Sequence, residues 1–96
     1  MKWTRSKGSP IEYSTGYVGL RNYISMSHTN YSKHYWYTYS VNGEEVLHGN
    51  FDASNWDEAE RIAVQRIRAD LSYKAGRLKQ MLSEFNIEVN KNETLD

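Results

Sequence analysis

The chain predicts an α+β fold, a three-stranded antiparallel sheet packed on one long C-terminal helix. Three observations carry that prediction. Asn42-Gly43 stands between two β-favouring runs, Tyr35–Val41 and Glu44–Phe51. Both central residues of a type I′ turn need positive φ, so this pair marks a hairpin. Val18, Leu20, Asn22, Ile24 and Met26 alternate with their neighbours across 17–27, the period of a strand. Finally, Trp56, Ala63, Val64, Ile67, Leu71, Leu78, Leu82 and Phe85 fall on one stripe at helical spacing.

In chain order, Gly8-Ser9-Pro10 breaks the N-terminal segment, so residues 1–15 are expected as an irregular arm, with Trp3 as an anchor. The antiparallel sheet is expected over 16–51, with strands near 17–27, 34–41 and 44–51. His28-Thr29-Asn30-Tyr31-Ser32-Lys33 is polar and reads as a loop. Asn55 is placed to cap a helix by accepting from the backbone at Glu58, and Asp57, Glu58 and Glu60 suit the positive end of the helix dipole. The helix is expected over 55–86. A polar tail follows over 87–96, in which Ile87 and Val89 alternate as a short strand would. The whole is expected to form one domain, 1–96, near the lower size limit for folding on a single core.

Composition narrows the function classes. The 96 residues include eight Tyr and three Trp but no Cys, which excludes disulfide and thiolate chemistry and suits a reducing cytoplasm. No apolar run follows the basic start, so neither a signal peptide nor a membrane span is expected. Net charge is zero, but the charges are segregated. Residues 1–33 hold five basic residues and Glu12. Residues 34–60 hold six acids and neither Lys nor Arg. Residues 61–79 hold six basic residues and Asp70. His28, His34 and His48 match no metal-ligand spacing, and no catalytic constellation stands out. The expectation is a non-enzyme that uses no cofactor and no metal.

If a two-residue turn joins Val41 to Glu44, Tyr39 should pair with Val46, Thr38 with Leu47 and Tyr37 with His48. Tyr37, Tyr39 and Val46 then face the helix with Leu20 and Phe51. Trp36, Thr38, Ser40, Glu45 and Leu47 face outward, with Tyr23 and Tyr31 nearby. Exposed Trp and Tyr are the material of binding hot spots. The expected partner-binding set is Tyr23, Tyr31, Trp36, Thr38, Glu44, Glu45 and Leu47, with Asp52 joining the acids against a basic surface. The competing expectation is that the arm, with Trp3, covers this face.

Thirty helical residues span roughly 45 Å, whereas seven or eight strand residues span about 25 Å. A sheet of that size leaves half the stripe uncovered. Leu71, Ala75, Leu78, Leu82 and Phe85 step by four and three, as coiled-coil seam positions do. A homodimer through these five residues is therefore expected, the alternative being that arm and tail fold back over them.

Gly16-Tyr17-Val18-Gly19-Leu20-Arg21, Val41-Asn42-Gly43, Gly49-Asn50-Phe51-Asp52-Ala53 and Asp57-Glu58-Ala59 together resemble an AP2-type domain. The resemblance covers about 16–69. It implies three antiparallel strands on one helix, with the open sheet face reading the DNA major groove. Arg21 stands at a position similar to one such reader, but no Lys or Arg occurs from His34 to Glu60. DNA affinity is dominated by phosphate neutralisation, so a protein or protein–nucleic-acid complex is the preferred partner. In style the chain also resembles small phage-encoded proteins that block host defence, anti-CRISPR proteins among them. That likeness implies an inhibitor acting in the host cytoplasm on a nucleic-acid-handling complex. The alternative is an AP2-like DNA-binding protein using Arg5, Lys7, Arg21 and Lys33.

Overall fold

A computed structural model describes residues 1–94, with side chains through Lys91; Leu95 and Asp96, the end of the expected tail, lie outside the described residues. The chain is α+β, an antiparallel sheet with one long C-terminal helix, but the sheet has five strands rather than three. They are β1 (Trp3–Ser6), β2 (Ile11–Val18), β3 (Asn22–Thr29), β4 (His34–Val41) and β5 (Glu44–Asp52). Each pairs antiparallel with the next, in sequence order. Helix α1 runs Trp56–Thr94. The chain divides into two compact units, Met1–Gln65 and Arg66–Asp96.

The two additional strands come from the segment expected as an arm. β1 and β2 pair from Trp3↔Gly16 to Ser6↔Tyr13. The strand expected over 17–27 is two strands joined by a turn at 19–21. Gly19 takes φ +78°, a left-handed conformation open to glycine, and reverses the chain there. Leu20 looked like an alternating core residue but sits at the turn, 98% exposed. Alternation preserved across a three-residue turn concealed the reversal.

The β4–β5 hairpin forms where expected, with Asn42 at φ 54° and Gly43 at φ 83°. Its register agrees beside the turn, where Val41 pairs with Glu44 and Ser40 with Glu45, and then shifts so that Tyr39 pairs with Leu47. Val46 is the extra residue of a β-bulge and is exposed. A one-residue insertion sends every later side chain to the other face. Leu47 is therefore buried beside Tyr39, and the expected outward placement of Leu47 and inward placement of Val46 are both corrected.

Asn55 caps α1 as expected, its Oδ1 accepting the Glu58 backbone N–H at 2.9 Å. The helix continues to Thr94 through Ile87 and Val89, so neither the expected stop near 86 nor a short strand occurs. Nothing between Asn86 and Thr94 is a strong breaker; Pro and Gly are both absent there.

The core lies between one sheet face and the start of α1. Ile24, Met26, Tyr35, Tyr37, Tyr39, Leu47 and Phe51 are buried on the strands, and Ala59 and Ala63 on the helix. The two alanines are fully buried. His28 stacks on Tyr35 with ring centres 4.0 Å apart, and Trp56 meets Tyr35 edge-on at 5.0 Å. Burial first, then Glu12 and Glu58, push the Tyr35 phenol above its usual pKa.

Tyr37 lies across Gly49, its pairing partner; a Cβ at 49 would stand 2.6 Å from the Tyr37 hydroxyl oxygen and 2.7 Å from the ring. Any side chain there must push a packed aromatic aside. Gly49→Ala should cost about 1–3 kcal/mol, as overpacking does, read as a lowered urea midpoint with an unchanged m-value.

Candidate partner-binding face

Period-two alternation separates the two sheet faces. On the helix side stand Trp3 and Arg5 of β1, Glu12, Ser14 and Gly16 of β2, Ile24, Met26 and His28 of β3, and Tyr35, Tyr37 and Tyr39 of β4. Trp3 lies over Gly16 on this side, so it does not cover the opposite face.

What holds the first two strands in this sense is a carboxylate on the helix. Glu60, only 6% exposed, receives Arg5 bidentately, Nε to Oε2 at 2.9 Å and Nη2 to Oε1 at 2.7 Å. Ser14 Oγ donates to Oε2 at 2.7 Å, and Arg5 Nη2 also reaches Asp57 Oδ1 at 2.6 Å. A buried carboxylate is tolerated when a fork of donors satisfies it. Glu60 first, then Asp57, raise the Arg5 guanidinium far above its ordinary range. A second tie runs from Trp56 Nε1 to Glu12 Oε1 at 3.2 Å.

The opposite face is built in rows that the register defines. Ser6, Tyr13, Ser27, Trp36 and Asn50 form one row across all five strands. Thr4, Thr15, Ser25, Thr38 and His48 form the next. Tyr17, Tyr23, Ser40 and Glu45 form a third. The central strand β3 thus contributes the small Ser25 and Ser27, while its neighbours raise aromatic walls. Between Tyr13 and Trp36, over the two serines, runs an open groove of about 140 Å³. Tyr13 is 49% and Trp36 44% exposed.

Trp36 is held from one side. The His34 ring meets it edge-on at 4.6 Å, and His34 is itself set by Asp52, 2.7 Å from Nδ1, and Asn50, 3.1 Å from Nε2. Tyr17 and Tyr23 lean on each other at 5.9 Å. These contacts restrict the aromatic rings of Trp36, Tyr17 and Tyr23.

The expected partner-binding residues distribute unevenly. Tyr23, Trp36 and Thr38 share the open face; Glu44 and Glu45 are exposed at the β4–β5 turn; Tyr31 is exposed in the β3–β4 loop. Leu47 belongs to the core. Tyr13, Tyr17, Ser25 and Ser27 were missed, although Ile11, Tyr13, Thr15 and Tyr17 alternate visibly once 11–18 is read as a strand. His34 pairs with Asp52, and His48 with Thr38 beside Glu45.

Of the alternative DNA-binding set, Arg5 is turned to the helix and engaged by Glu60 and Asp57. Lys7 and Lys33 are exposed in the loops at one end of the sheet, and Arg21 is exposed in the turn at the other. None of them lies on the open face. The expected dimer residues, Leu71, Ala75, Leu78, Leu82 and Phe85, are all exposed along α1. Among the described residues, no group of three or more His, Asp or Glu side chains could hold a metal ion. No described helix is long and apolar enough to cross a membrane.

No family model, curated protein or solved structure matches the chain.

Arg5→Ala should strand the Glu60 carboxylate. Breaking a buried pair typically costs about 3–5 kcal/mol; with Arg5 part exposed, about 2 kcal/mol is expected here. That loss corresponds to a drop of roughly 10 °C in the thermal midpoint. Arg5→Lys should recover only part of it, because an ammonium lacks the planar fork.

Proposed function

We propose that this is a non-catalytic binding protein that acts by occupying a surface on a protein partner, docking with the open face of its sheet. The single observation that carries this reading is the make-up of that face: Tyr13, Tyr17, Tyr23 and Trp36 stand among Ser, Thr and Asn with no Lys or Arg. Rigid aromatics supply contact area at low conformational cost, and small hydroxyl residues supply adaptable hydrogen bonds, the same division of labour found in antibody paratopes. Trp36, braced by His34, and Tyr13, across the groove from it, are the anchors. Exposed Glu44 and Glu45 at the β4–β5 turn, with Asp52 at the far end of β5, complement a basic partner surface, such as one that handles nucleic acid. Capping such a surface inhibits it without chemistry, in keeping with the resemblance to anti-defence proteins.

A second reading, DNA binding of the AP2 type, rests on the exposure of Lys7, Arg21 and Lys33. It draws nothing from the strands, and its cations stand at opposite ends of the sheet.

The readings separate by affinity purification from a bacterial host lysate, repeated after nuclease treatment. A partner retained after nuclease and lost from Trp36→Ala supports the first reading. The loss should exceed about 30-fold in affinity, as truncating a hot spot of about 2 kcal/mol does. The thermal midpoint of the variant should stay within what a surface change of about 0.5 kcal/mol causes. Duplex binding at physiological salt that falls steeply as salt rises, and weakens in Arg21→Ala, would replace this reading with the second.

A further inference from the structure

The described side chains from Arg68 to Lys91 are all exposed, yet they include a row of large apolar groups. Leu71, Ala75, Leu78, Leu82, Phe85 and Val89 follow one another at alternating steps of four and three, the seam of a two-stranded coiled coil. Leu78, Leu82 and Phe85 are each at least 60% exposed. We propose that this seam pairs antiparallel with the same seam of a second copy, about a twofold axis at Gln80.

Size and charge both select the second copy and the antiparallel sense. With the axis at Gln80, Ala75 lies opposite the second copy's Phe85, Leu78 opposite its Leu82, and Leu71 opposite its Val89. The smallest residue of the seam thus accommodates the largest. A parallel pair in register would set Ala75 on Ala75, leaving a void, and crowd Phe85 on Phe85. Interiors tolerate neither well. The flanking positions agree. Antiparallel pairing brings Lys74 beside Glu88 at two symmetric places, whereas the parallel pair brings Lys74 beside Lys79 twice. More broadly, the basic stretch Lys74–Lys79 meets the acidic stretch Glu84–Glu88. Met81 meets its own copy on the axis and packs adaptably. The one like-charged meeting is Lys79 with its symmetry mate, and long lysine stems can diverge into solvent there.

The seam spans about 27 Å on each copy, by the rise of 1.5 Å per residue. That is fewer than three heptads, so a reversible dimer in the micromolar range is expected rather than an obligate one.

The absence of cysteine from the chain makes the test direct. Full-length Ala75→Cys and Phe85→Cys are prepared separately, oxidised alone and as an equal mixture, and read by non-reducing electrophoresis. Disulfide-linked dimer should appear in the mixture and be at least fivefold weaker in either variant alone. Sedimentation equilibrium of the unmodified chain should show a monomer–dimer equilibrium. Glu88→Lys should weaken it several-fold, and Lys74→Glu with Glu88→Lys should restore it. Strong self-linking of Ala75→Cys would overturn the antiparallel assignment. A chain that remains monomeric at several hundred micromolar, or a dimer unaffected by Leu78→Asp with Leu82→Asp, would overturn the seam altogether. Circular dichroism of the double aspartate variant distinguishes loss of pairing from loss of folding.

Discussion

The buried carboxylate of Glu60 is the constraint on which the arrangement of the N-terminal half depends. A carboxylate that is almost fully covered must be neutralised and hydrogen-bonded, or it destabilises the fold it occupies. Arg5 and Ser14 perform both tasks from two adjacent strands. Strand side chains alternate between faces, so turning Arg5 and Ser14 inward obliges Tyr13, Thr15 and Tyr17 to face outward. A single ion pair on one side of the sheet therefore determines which residues the other side presents. Without it, β1 would be a four-residue edge strand with little to bury.

The second determinant is shape. The core is a stack of aromatic rings, His28, Tyr35, Trp56, Phe51 and Tyr37, laid between the sheet and a helix surface of alanines. Large rings need empty neighbours. Ala59, Ala63 and Gly49 supply that space on the helix and on β5. The bulge at Val46 belongs to the same economy of space, because it brings Leu47 into the core beside Tyr39 and turns the strand at the sheet edge. Glu44, Glu45 and the bulge also discourage an exposed edge from pairing indiscriminately with other strands. An aromatic face can thus remain uncovered while the edge beside it is protected.

The binding proposed for this face draws on the same physics as the core. Trp36 gains its position from His34, and His34 from Asp52 and Asn50, so the outward aromatics are ordered in advance. A surface with hydroxyls between rings and no cation among them is suited to another protein and poorly suited to a polyphosphate backbone.

Local chemistry made part of this legible. Asn42-Gly43 tolerates the positive φ that a tight hairpin turn requires at both central residues, and it turns the chain as expected. Asn55 can cap only the helix that begins beside it. Tyr37 and Tyr39 were readable as core, and Trp36 as outward, because parity along an unbroken strand is a property of the strand alone. Leu71 through Phe85 could be recognised as an apolar row from spacing, and they are exposed. Other features were hidden. Residues 1–15 looked irregular because Gly8-Ser9-Pro10 reads as a break, whereas it joins two strands that pair with each other, and Gly19 hid a turn inside an unbroken alternation. Leu47 changed face because a bulge is decided by what the opposing strand and the core will accept. Arg5, which looked like a free cation, is committed to a carboxylate 55 residues away. The Asn42-Gly43 turn, the Asn55 cap and alternation are short-range and were written in the chain itself; the bulge in β5 and the fate of charges such as Arg5 are settled only when separate segments meet and must satisfy one another's volume and charge.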